Sequence, residues 1–62
     1  MKLAYQQKVL DNISAMEKRL GIIMDVAQGN RVLTNDEILK LVKEVKHLSD
    51  SNKAIIEIVP TQ

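Results

Sequence analysis

Val9, Ile13, Met16, Leu20, Ile23 and Ala27 recur at a 4-3-4-3-4 spacing, and Ile38, Leu41, Val45, Leu48, Asn52, Ile55 and Val59 at 3-4-3-4-3-4. Both are heptad seams, the pattern that keeps one narrow stripe of an α-helix facing a partner helix. The first predicts a helix over about residues 3–28. Beside its seam runs a second apolar line, Leu3, Leu10 and Met24, interrupted by Glu17. An apolar face this wide belongs to a helix in a bundle, since a two-stranded zipper needs only the seam.

Gly29-Asn30 is a helix stop, because both residues accept the left-handed conformation that closes helix C-termini. A link of about five residues normally joins antiparallel neighbours. Thr34 followed by Glu37 has the spacing of a capping box, with Leu33 and Ile38 placed to form its hydrophobic staple. Asp36 and Glu37 also lie at the positive end of the helix dipole. The second helix therefore starts at 35, after a turn over 29–34.

Its end is less sharply marked. Ser49-Asp50-Ser51-Asn52 is a weak helix stretch, and the β-branched run 55–59 suits a strand. Yet Asn52, Ile55 and Val59 keep the heptad phase. The helix ends near 51 or continues to 59, with 60–62 a frayed tail. If the apolar run detaches, it is placed to dock on a partner by strand addition. The expectation is an all-α fold: a single antiparallel helical hairpin over 1–62, dimerising into a four-helix bundle.

Size strengthens the dimer reading. A chain of 62 residues leaves a lone core marginal, and its usual supports are disulfides, a metal or oligomerisation. There is no cysteine, and the one histidine, His47, has no partners with which to hold a metal. No metal and no cofactor are expected. The oligomer or partner interface is assigned to Val9, Ile13, Met16, Leu20, Ile23, Ile38, Leu41, Val45, Leu48 and Ile55. Gly21, one residue after Leu20, is either a tolerated surface glycine or a point of close approach by a crossing helix.

Candidate chemistry is sparse. His47, Asp50 and Ser51 share a helix face at i, i+3 and i+4, but a hydrolytic triad needs a nucleophile in a sharp turn, an oxyanion hole and a dry cleft. The Asn12-Ile13-Ser14 sequon carries no meaning without an export signal. Net charge is +1 with both signs interspersed, and one tyrosine is the only aromatic residue. That excludes a strongly one-sided field and a stacking platform for single-stranded bases. No apolar run is long enough to span a bilayer, so a cytoplasmic protein without membrane association is expected. A nucleic-acid contact would fall on Lys40, Lys43, Lys46 and Lys53, although Asp36, Glu44 and Asp50 stand four residues from Lys40 and Lys46 and neutralise much of that charge.

In length and hairpin logic the chain resembles the Rop family of plasmid copy-number RNA-binding proteins, which are dimers of helical hairpins. The run from Leu33 to Leu48 is similar in pattern to the small aspartyl-phosphate phosphatases of sporulating bacilli. That family carries Ser-Gln-Glu-Leu-Asp on its second helix. Here the matching stretch is Val42-Lys43-Glu44-Val45-Lys46, so the activity is not implied. The expected function is non-enzymatic: a small bacterial or phage regulator that binds an unidentified partner protein through helix surface. A nucleic-acid-binding hairpin of Rop-like architecture is the alternative.

Overall fold

The computed structural model describes residues 2–58. It contains two helices, α1 (Leu3–Ala27) and α2 (Asn35–Ile58), packed against each other as an antiparallel hairpin, with no strand among the described residues.

Sequence chemistry accounts for each end of the turn. Gly29 has φ +81°. Its amide donates to the Val26 carbonyl at 3.1 Å, and the Asn30 amide donates to the Asp25 carbonyl at 2.8 Å. This pair of bonds is a Schellman closure, which satisfies carbonyls that the helix end would orphan. On the other side, the Glu37 amide donates to Thr34 Oγ1 at 3.1 Å and the Thr34 amide donates to Glu37 Oε1 at 3.0 Å. The capping box is formed reciprocally, with Leu33 and Ile38 half-buried beside it. By contrast, α1 starts after Lys2 with no side-chain cap.

The cap makes two predictions. Thr34→Ala should cost about 1 kcal/mol, read as a lower urea midpoint with unchanged slope. The amide of Thr34, followed by its hydroxyl, holds the Glu37 carboxyl below its usual value. A depressed acid stabilises the fold above the unfolded-state pKa and loses that contribution as pH falls through the folded-state pKa. Acid unfolding of Glu37→Gln should therefore start from a lower neutral-pH stability and fall less steeply below the glutamate range. A parallel pH profile for the two proteins would contradict this.

The helix of the second arm continues to Ile58, so the strand and detached-segment readings of the 55–58 run do not hold. Ser51 and Asn52 sustain it because their side chains are engaged across the hairpin and not solvated. Val59, the last seam position, and the 60–62 tail lie outside the described residues. On α2 the seam residues Ile38, Leu41, Val45, Leu48, Asn52 and Ile55 are all half-buried or buried. On α1 only Val9, Met16 and Ile23 are; Ile13, Leu20 and Ala27 are exposed. The line that meets α2 is Val9, Asn12, Met16, Arg19, Ile23 and Val26, rotated from the seam by about 50° at 100° per residue. No side chain among the described residues is fully enclosed.

Candidate helix-interaction surface

Two polar contacts sit inside the hairpin. Asn12 and Asn52 are the buried polar residues among those described, 3% and 9% exposed. Asn12 Nδ2 donates to Asn52 Oδ1 at 2.8 Å and lies 3.4 Å from Ser51 Oγ, while Asn52 Nδ2 donates to the Val9 carbonyl at 3.4 Å. Nearer the turn, Arg19 lies across the contact line. Its guanidinium donates to the Ala15 carbonyl at 2.9 Å and approaches Glu44 at 3.7 Å, leaving Nε buried without a partner. Asn52 was legible as a polar seam residue. Asn12 and Arg19 were not, although each falls three or four residues from the apolar positions of the contact line.

The larger feature lies outside the hairpin. Leu3, Leu10, Ile13, Leu20 and Met24 on α1, and Leu39, Val42 and Ile56 on α2, are between 40% and 79% exposed. In both helices these residues follow the contact line by one position: Leu10 after Val9, Leu20 after Arg19, Leu39 after Ile38, Val42 after Leu41, Ile56 after Ile55. One position is about 100° of rotation about each helix's own axis. The axes run antiparallel, so the same rotation about each brings both stripes to the same broad side of the hairpin. Ile13 and Leu20, assigned to the interface by the heptad pattern, point between this side and α2. An apolar stripe at that bisector is what a helix with two neighbours at right angles requires.

The opposite broad side is polar. A shallow depression of about 150 Å³ there is lined by Lys18, Arg19, Ile22, Leu41 and Glu44. The lysines considered for nucleic acid are all exposed but not gathered: Lys40 and Lys43 border a depression shared with Asp36 and Glu44, and Lys46 pairs with Asp50 at 3.0 Å. That hydrogen bond from Lys46 also holds the Asp50 carboxyl below its ordinary value. His47 and Asp50 are exposed, while Ser51 turns inward toward Asn12. The three face no common cleft. Gly21 has open space where a Cβ would lie. No helix among the described residues is long and apolar enough to cross a membrane. Comparison with protein-family models, curated proteins and solved structures finds no match.

Proposed function

We propose that the chain is a small, non-enzymatic interaction protein that works through helix-mediated binding, and that it does so as a homodimer. The apolar side of the hairpin carries this reading. Eight large apolar side chains share one face of a chain whose internal contact encloses no side chain fully. Large exposed apolar side chains gathered on one face and set among charged residues mark an interaction surface. A second hairpin laid on this face completes a four-helix bundle and brings Ile13 and Leu20 into its core. The polar sides, with the turn, then remain outward for a partner protein.

Sedimentation equilibrium at micromolar concentration is expected to give twice the chain mass. A folded monomer across that range would sink the dimer. Affinity capture with the tagged dimer tests the partner. Binding of RNA or DNA in gel shift, falling steeply as salt rises, would replace protein binding by nucleic-acid binding through Lys40, Lys43, Lys46 and Lys53.

A further inference from the structure

The apolar face carries charge within it, and the signs differ between the helices. Glu17 interrupts the stripe of α1; Lys46 (which also pairs with Asp50), Ser49 and Lys53 interrupt the stripe of α2 between Val42 and Ile56. We infer that the second copy docks with its α1 over α2 of the first, about a two-fold axis parallel to the helices, so that Glu17 of each copy meets Lys46 of the other. This rests on the homodimer proposed above.

Register follows from contacts within one hairpin. Asn12 is level with Asn52, and Arg19 with Glu44. Residue numbers at one level thus sum to about 64, which puts Glu17 level with 47 and Met24 level with 40. A two-fold axis along the helices preserves these levels. Glu17 then falls beside Lys46 of the second copy, Met24 beside Leu39, and Leu20 beside Val42 and Val45. The other way to stack two apolar faces uses a two-fold axis across the helices, which sets α1 on α1 and α2 on α2. Centred for full overlap, that arrangement brings Glu17 close to its own copy and Lys46 against Lys53. Like charges at such a seam repel, and opposite charges select orientation. The face itself is large enough: sides of 44 and 17 Å give about 750 Å², near the roughly 800 Å² each partner contributes to a stable interface.

The arrangement has a consequence for the surface left to a partner. Both turns lie at the same end of the bundle, presenting Arg31 and the 93% exposed Val32 twice, side by side. Crosswise stacking would send the turns to opposite ends.

Val32→Cys introduces the only thiol in the chain, so one spin label per copy reports the turn-to-turn distance by pulsed dipolar spectroscopy. About 20 Å is expected from the roughly 10 Å spacing of packed helices plus the label arms, against about 40 Å for crosswise stacking. Sedimentation equilibrium supplies the second measurement. Glu17→Lys should weaken the dimer roughly tenfold, since both symmetric pairs become repulsive, and Glu17→Lys/Lys46→Glu/Lys53→Glu should restore it. The difference should shrink in high salt. A long distance in an intact dimer, or a dimer indifferent to Glu17→Lys, overturns the orientation while leaving the homodimer standing. A monomeric wild-type chain overturns both.

Discussion

Leu20→Asp is expected to abolish cooperative folding at micromolar concentration, although Leu20 is 44% exposed in the single hairpin. Substitutions on an open surface usually stay within about 0.5 kcal/mol. In the proposed four-helix bundle the same position is core. The change then forfeits about 1.5–3 kcal/mol of leucine burial and introduces a carboxylate that must be desolvated or protonated. Symmetry applies the loss twice per dimer. A hairpin with no fully enclosed side chain has little with which to offset it. Circular dichroism should show most of the helix signal lost. Leu41→Asp, between the helices of one hairpin, is the control that unfolds the chain whether or not it dimerises. Retention of wild-type helicity and melting temperature by Leu20→Asp would show that the face lies in water. The wild-type melting temperature should also rise with chain concentration, because the proposed dimerisation would link folding to association.

Much of the hairpin was legible in residues whose effect is local. Gly29-Asn30 and the Thr34–Glu37 pair act within one turn of chain, and each forms the bonds its chemistry implies. The 3.6-residue period located both helices. What it did not locate was the rotation of α1. The contact line contains Asn12 and Arg19, and a search restricted to apolar positions passes over both, settling on Ile13 and Leu20 instead. Arginine at such a place contributes its aliphatic stem and sends its charge to the edge, here toward Ala15 and Glu44. The apolar pattern therefore averaged two directions, that of α2 and that of the exposed apolar side. The end of α2 was obscured for a related reason. Ser51 and Asn52 are poor helix formers by local preference, and a contact forty residues away in sequence holds them in place.

That contact leads to the second large effect. Asn52→Ala should destabilise the fold by about 1–3 kcal/mol, the cost of leaving a buried amide partner unsatisfied. Asn12 would keep only the 3.4 Å approach to Ser51. Asn12→Leu should cost a similar amount by orphaning Asn52. The double substitution Asn12→Leu/Asn52→Leu is expected to recover the loss and equal or exceed the wild type, since two facing leucines extend the apolar seam with no polar group left unpaired. A double-mutant cycle by urea denaturation should accordingly show strong coupling, whereas simple addition of the two losses would mean that the asparagines act independently. The native pair is then a feature that specifies more than it stabilises. Each asparagine is satisfied only when Asn12 is level with Asn52, which penalises any bundle that pairs these helices differently. With leucine at both positions the end of the seam away from the turn has no polar contact to set its level, and sedimentation should show more than one oligomer where one is expected of the wild type. Gain of stability without loss of a single oligomeric state would remove the specificity role and leave the pair as a packing solution alone.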